Sequence, residues 1–155
     1  MSMILTKEQI LALIPQQNPF RFIDELELVD SESCRGNYLF KSDEYFYEGH
    51  FPEKPITPGV IVTEAMAQIG LIPLGIYLLA EREENLKPED VLPVFSSSHV
   101  DFLSPIYPGE KLIVEAVKVY FRFGKLKAKI TATKENGDKV CKGEFSGMFI
   151  DRKKI

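Results

Sequence analysis

Alternating apolar and polar positions predict six strands in this chain. The clearest is the segment 125–134, where apolar side chains alternate with lysines and threonines, as in a strand buried on one face only. Asn136-Gly137 follows it and precedes another apolar run, which is a strong signal for a two-residue hairpin turn. The predicted strands are residues 20–29, 35–41, 94–102, 111–121, 125–134 and 140–150.

A short helix is predicted near the N-terminus and an irregular loop near the middle of the chain. Thr6 can cap a helix over residues 7–14, because Gln9 lies three positions later and completes a capping box. Pro15 ends this helix. Residues 50–59 contain three prolines, and this spacing excludes regular structure there.

A long apolar helix is predicted from Gly59 to about Glu83. Its first twenty-two residues carry a single charge, Glu64. Roughly twenty apolar residues can span a bilayer. A carboxylate within lipid is costly, however, and one proline and two glycines interrupt the run. The strands also need a helix to cover them, so we predict a helix buried inside the fold and no membrane span.

The order of these elements predicts an α+β fold. A helix, two strands, the long helix and four strands give an antiparallel sheet of about six strands wrapped around one long buried helix. A chain of 155 residues fits a single domain, residues 1–155, with a sizeable core. The outer side of the long helix needs a cover, and a second subunit can provide it, so we expect an obligate oligomer.

Composition excludes several functional classes. The net charge of −4 argues against a nucleic-acid-binding face. Cys34 and Cys141 have no paired spacing, which indicates free thiols in a reducing compartment. Charged residues come too early in the chain for a signal peptide, so a cytoplasmic protein is expected. No metal-ligand cluster, phosphate-binding loop or serine-nucleophile motif is present, so we expect neither a metal nor a cofactor.

Glu64 is the most unusual residue of the chain, since it lies among the apolar residues of the long helix. Carboxylates are rarely buried without a partner or a function. Two interpretations stay open: a catalytic carboxyl group, or a carboxylate bonded to backbone NH groups near the helix N-terminus. Gln68 lies one turn later on the same helical face and could fix the Glu64 side chain, or it could be an ordinary buried amide at a subunit contact.

His50 and Gly59 stand at the two ends of the proline-containing loop. Pro52 and Pro55 make the loop rigid, which suits a positioned base, although a lone histidine is more often structural. Gly59 allows a ligand to approach backbone NH groups at the positive end of the helix dipole, or it simply forms a turn. A base, an acid and an NH donor suffice to remove a proton beside a thioester carbonyl and expel a β-hydroxyl group.

The segment 49–68 resembles the signature of 3-hydroxyacyl-acyl-carrier-protein dehydratases of the FabZ type. It reads GHFPEKPITPGVIVTEAMAQ, with Gly59 nine and Glu64 fourteen residues after His50. This resemblance implies the hotdog fold, a homodimer with paired antiparallel helices, or a trimer of such dimers. It also implies a (3R)-3-hydroxyacyl thioester on an acyl carrier protein as substrate, and the trans-2-enoyl thioester as product.

The same resemblance implies a role for each candidate residue. His50 removes the α-proton, and Glu64 of the neighbouring subunit protonates the departing hydroxyl group. The NH group of Gly59 holds the thioester carbonyl, and Gln68 orients Glu64. Two further functions remain as alternatives: a hotdog acyl thioesterase, and a non-catalytic subunit that binds an acyl carrier protein.

Two places depart from the pattern of the housekeeping enzymes. Residues 15–20 read PQQNPF, where those enzymes usually read PHRYPF. The Pro15-Gln16 pair resembles the dehydratases of pigment-type polyene pathways. Leu103-Ser104 stands where those enzymes carry a basic pair associated with docking of the acidic carrier protein.

Overall fold

A computed structural model describes residues 4–82 and 85–155 of the chain. Six strands are present: β1 (Glu25–Val29), β2 (Ser33–Leu39), β3 (Val91–Phe102), β4 (Lys111–Arg122), β5 (Lys125–Lys134) and β6 (Lys139–Asp151). They form one antiparallel sheet in the order β1-β2-β4-β5-β6-β3, so β1 and β3 are its edges. The α+β class and the six-stranded sheet expected from the sequence are thereby confirmed.

The helical residues form one short and one long helix. The short helix α1 (Lys7–Leu13) begins with the predicted capping box, in which the Gln9 backbone NH donates to Thr6 Oγ1 and the Thr6 NH donates to Gln9 Oε1. The long helix consists of α2 (Gly59–Met66), a π-helical turn (Ala67–Leu71) and α3 (Ile72–Glu81). Short 3-10 turns cover Tyr45–Glu48, Pro88–Asp90 and Arg152–Lys154.

The long helix forms the centre of the core. It is long and apolar enough to cross a membrane, but 78% of its most apolar window is buried inside the protein. The sheet curves around it and contributes fully buried side chains such as Val114, Ala128 and Ile130. Contact is close at Gly70, where an added Cβ would lie 3.0 Å from Ile130 Cδ1. The helix is therefore the core helix that the sequence predicts; it ends at Glu81, and the predicted end near residue 83 lies outside the described residues.

Three predicted strands have wrong bounds. The second covers Ser33–Leu39 and not residues 35–41. The other two begin elsewhere for identifiable reasons. The first strand begins at Glu25 and not at Phe20, because backbone atoms of residues 20–22 bond to the side chain of Gln68 instead of to a neighbouring strand. The third begins at Val91 and not at Val94. Pro93 lies within it, and an edge strand tolerates a proline because one side of its backbone needs no strand partner.

The edge strand β3 leaves apolar side chains in contact with solvent. Val94, Phe95 and Phe102 are 41%, 46% and 54% exposed. An edge strand also presents unpaired backbone NH and C=O groups, which form a template for another strand. Natural proteins usually protect such an edge with charges or cover it, so this edge is suited to an interface.

Candidate active site

The side chains of Glu64 and Gln68 are joined by a hydrogen bond on the long helix. Gln68 Nε2 donates to Glu64 Oε2 at 2.8 Å and to the Phe20 carbonyl oxygen at 3.0 Å. Gln68 Oε1 accepts from the Phe22 backbone NH at 2.6 Å. Because an NH group can only donate, Phe22 fixes which end of the amide is the oxygen. The donor end of Gln68 therefore faces Glu64.

The surroundings of Glu64 favour its neutral form. Burial raises the pKa of this carboxyl group, and the hydrogen bond from Gln68 lowers it by less. The net effect is a pKa above the usual range, so the carboxyl group keeps its proton to higher pH than an exposed glutamate. A proton held in this way can be given to a leaving group.

The His50 imidazole is oriented by the loop that follows it. Its Nδ1 lies 3.0 Å from the Ile56 carbonyl oxygen, and the Ile56 backbone NH donates to the His50 carbonyl oxygen at 3.0 Å. A carbonyl oxygen only accepts, so Nδ1 carries the hydrogen in the neutral ring. Nε2 then has the free lone pair and can act as a base. The Phe51 ring stacks on the imidazole at 4.4 Å between centroids.

Further contacts hold the loop against the rest of the fold. Thr57 is buried, its hydroxyl group lies 2.6 Å from that of Tyr47, and its backbone NH donates to the Ile106 carbonyl oxygen at 3.0 Å. These two contacts attach the loop to Tyr47 and to Ile106, so the position of His50 does not depend on the prolines alone.

Gly59 is the first residue of the long helix. No side chain caps this end, since the preceding residue is Pro58. The first NH groups of a helix have no partner within the helix, so they can bind an anion or a developing oxyanion. An added Cβ at residue 59 would lie 3.1 Å from the Phe102 ring. A side chain at residue 59 would therefore fill the space between the helix end and the Phe102 ring, and glycine leaves that space open.

Glu64 and Gly59 line two different cavities. Glu64 lines a cavity of about 60 Å³, together with Ala67, Leu71, Phe95 and Phe149 among others. Gly59 lines a second cavity with Ile56 and Phe102. Ile56 is also the residue whose carbonyl oxygen orients His50. Within residues 4–82 and 85–155, no hydrogen bond or ion pair joins His50 to Glu64.

The orienting groups were not evident in the sequence. The Ile56 carbonyl and the backbone atoms of Phe20 and Phe22 orient the polar side chains, and a backbone atom leaves no signal in a residue pattern. Gln16 also lines the Glu64 cavity, and only the unusual Pro15-Gln16 pair pointed to it. In the part of the chain that is described, no group of three or more His, Cys, Asp or Glu side chains forms a metal site.

Comparisons with known proteins agree with one another. Residues 14–145 match the family described as FabA-like domain. The 3-hydroxyacyl-acyl-carrier-protein dehydratase FabZ of Roseiflexus sp. (strain RS-1) is 37% identical over 144 residues, which cover 92% of this chain and 94% of the relative.

Solved structures share the fold at low sequence identity. The dehydratase heterocomplex ApeI:P from Xenorhabdus doucetiae superposes with a TM-score of 0.76 and 14% identity, covering 93% of this chain and 92% of that chain. A thioesterase from Pseudomonas aeruginosa superposes with a TM-score of 0.68 and 12% identity, covering 96% of both chains. At such identities these two likenesses establish the fold alone, since one fold serves many functions.

Proposed function

The chain belongs to the family of FabA-like domains, and we propose that His50 and Glu64 are the base and the acid of its reaction. Its fold is the hotdog fold. The chain is a 3-hydroxyacyl-acyl-carrier-protein dehydratase, a hydro-lyase that acts on an acyl group held by an acyl carrier protein.

The reaction needs one base, one oxyanion donor and one acid. His50 Nε2 takes a proton from C2 of the (3R)-3-hydroxyacyl thioester, and the electron pair of the C–H bond moves toward the thioester carbonyl. The Gly59 NH group stabilises the negative charge that develops on the carbonyl oxygen. The C2–C3 double bond then forms, the C3–O bond breaks, and the leaving oxygen takes a proton from Glu64. The products are the trans-2-enoyl thioester and water.

The observation that carries this proposal is the hydrogen bond between Gln68 and Glu64. Burial favours the protonated carboxyl group, and a glutamine with all of its polar atoms bonded fixes the direction of that group. A carboxyl group that has a raised pKa and a fixed orientation suits a general acid. Proton transfer of this kind contributes about 10²- to 10⁴-fold to a rate.

We propose further that two copies of the chain share each active site. The cavity of Glu64 includes Phe95 near the start of β3, and the cavity of Gly59 includes Phe102 at its end. If β3 pairs antiparallel with β3 of a second copy, the start of one strand lies opposite the end of the other. Glu64 of one copy then faces His50 and Gly59 of the other copy.

The exposed apolar residues of β3 support such a homodimer. Further association into a trimer of dimers belongs to the same proposal, and the elution volume and light scattering of the purified protein decide between the two assemblies. We place the protein in the cytoplasm, since Cys34 and Cys141 are both free and buried, as in proteins of a reducing compartment. Membership in a pigment-type pathway stays a prediction.

Two inactive variants test the residue roles and the shared site together. We expect His50→Ala and Glu64→Gln each to lose at least about 10²-fold in the hydration of a trans-2-enoyl thioester, followed by its absorbance. The two variants are then unfolded, mixed in equal amounts and refolded. Half of the dimers are mixed, and each contains one intact site, so about a quarter of the wild-type activity returns.

The alternatives give different results in the same experiments. No recovered activity in the mixture would place each site within one chain. Near-normal turnover by Glu64→Gln would remove Glu64 from the acid role. Release of a free thiol from an acyl thioester, without a change in enoyl absorbance, would identify a thioesterase. Acyl binding without any turnover in the wild type would indicate a non-catalytic carrier-binding subunit.

A further inference from the structure

A second polar group faces the Glu64 cavity and has no role in the reaction as described so far. Gln16 lines this cavity, and its amide oxygen Oε1 is buried without a hydrogen-bond partner among the residues that the structure describes. Most buried polar atoms in proteins are hydrogen-bonded, and leaving one unpaired costs about 1–3 kcal/mol. Such an atom in the same cavity as a proposed acid can accept a hydrogen bond from a bound ligand.

The backbone of Gln16 is held in place by Arg21. The Arg21 guanidinium group donates to the carbonyl oxygens of Gln16 and Ile14, both at 3.2 Å, and to the Leu11 carbonyl oxygen at 2.7 Å. These bonds connect the segment after α1 to the C-terminal end of that helix. The Gln16 side chain therefore starts from a fixed backbone, and it lines the cavity with a buried amide oxygen that has no partner among the described residues.

The hydroxyl group of the substrate matches the two protein groups. A hydroxyl group has one O–H donor and two lone pairs. The protonated Glu64 can donate to one lone pair, and the Gln16 amide oxygen can accept the hydroxyl hydrogen. A cavity of about 60 Å³ has room for a hydroxyl group or a water molecule. Glu64 Oε2 already accepts from Gln68, whereas Gln16 Oε1 is an acceptor without a partner among the described residues, so it is available to the hydroxyl hydrogen.

We propose that Gln16 binds the 3-hydroxyl group of the substrate and directs its lone pair toward Glu64. This inference rests on the proposed role of Glu64 as the acid. During the reaction the O–H bond of Glu64 and the C3–O bond break, and a new O–H bond forms on the leaving oxygen. The resulting water has two hydrogens, which it donates to the Glu64 carboxylate and to Gln16 Oε1.

The Gln16→Met variant tests the proposal, because methionine has a similar length and lacks the amide. We expect kcat for dehydration of a 3-hydroxyacyl thioester to fall about tenfold, as for the loss of one well-placed hydrogen bond. The inhibition constant of the saturated acyl thioester, which has no 3-hydroxyl group, should stay within about twofold of wild type. Gln17→Met is the matched control, since Gln17 is the exposed neighbour and should keep wild-type values for both.

Thermal unfolding separates binding of the substrate from a structural role. Removing an unpaired buried oxygen leaves the folded state at least as stable, so Tm of Gln16→Met should stay equal or rise by about 2 °C at fixed protein concentration. Gln16→Leu, a second side chain without an amide, should give the same result. A Tm that falls in both variants would show that the amide bonds to a protein group, and it would overturn the proposal.

Activity measurements keep this proposal distinct from the one on which it rests. An active wild type whose Gln16→Met variant keeps full kcat would overturn the role of Gln16 and leave Glu64 as the acid. An equal loss of affinity for the hydroxylated and the saturated thioester would also overturn it, since the amide would then not recognise the hydroxyl group. If Glu64→Gln is fully active, both proposals fail together.

Discussion

Replacing Gln68 with methionine removes the three hydrogen bonds of its amide, one of which orients the Glu64 carboxyl group, with little change in side-chain volume. The amide of Gln68 is completely buried. In the variant the Phe22 NH group, the Phe20 carbonyl oxygen and the Glu64 carboxyl group each lose a partner. The structure allows the cost of each loss to be considered separately.

The largest cost comes from the Phe22 NH group, because Phe22 is fully buried and water cannot replace the lost partner. An orphaned buried group costs about 1–3 kcal/mol. The Phe20 side chain is partly exposed, and the Phe20 and Glu64 bonds are half-buried, so each loss costs about 1 kcal/mol or less. The free energy of unfolding should therefore fall by about 3 kcal/mol. For a chain of this size, Tm should drop by about 6–12 °C.

The pH dependence of the reaction should change as well. The hydrogen bond from Gln68 lowers the Glu64 pKa, so its removal raises that pKa further. A general acid works only while protonated, and its activity declines as the pH rises through its pKa. The descending limb of kcat/KM against pH should consequently move to higher pH in Gln68→Met.

Two measurements on one preparation test this prediction. Calorimetry or circular dichroism at fixed protein concentration gives Tm, and dehydration of a 3-hydroxyacyl thioester, followed across pH by the enoyl absorbance, gives the limb. The exposed Gln17→Met variant is the control for a change from glutamine to methionine. A loss of stability below about 0.5 kcal/mol, or a limb that moves to lower pH, would refute the reasoning about Gln68.

Three other outcomes follow from the structure. Because burial raises the Glu64 pKa in the folded state, this carboxyl group destabilises the fold as the pH rises above its unfolded pKa of about 4.3 and through its folded pKa. The Tm of Glu64→Gln minus the Tm of the wild type should thus be larger at pH 8 than at pH 4. An equal difference at both pH values would contradict this. Gly75→Ala places a Cβ 1.9 Å from Phe149 Cζ, so we expect the free energy of unfolding in urea to fall by about 1–3 kcal/mol. Because Phe149 also lines the Glu64 cavity, turnover of long acyl chains should fall more than turnover of short ones. An unchanged chain-length preference would mean that the ring moves away from the cavity. Burial raises the pKa of Cys34 to about 12 and that of Cys141 to about 11, so neither thiol should react with a disulfide reagent at pH 8 until the protein unfolds, and rapid labelling of the native protein would disprove this.

The sequence determined much of the fold because its signals are local. Alternation with period two marked the strands after residue 90, and β5 has the predicted bounds of Lys125–Lys134. The capping box of α1 needs only two residues three positions apart. The pairing of Glu64 with Gln68 is also local, since both lie on one face of one helix. The proposed role of each catalytic residue came from the FabZ-type signature and remains to be tested.

The tertiary structure decided the features that depend on distant backbone atoms. The Phe22 NH group bonds to Gln68, which lies 46 residues away, and this bond replaces a strand partner for a segment with a strand-like pattern. No residue pattern encodes which carbonyl oxygen will face Nδ1 of His50. The unpaired oxygen of Gln16 likewise became visible only in the cavity that it shares with Glu64. Periodicity and capping are properties of adjacent residues, whereas hydrogen-bond partners across the fold are set by packing, so only the folded chain shows how its polar groups are oriented.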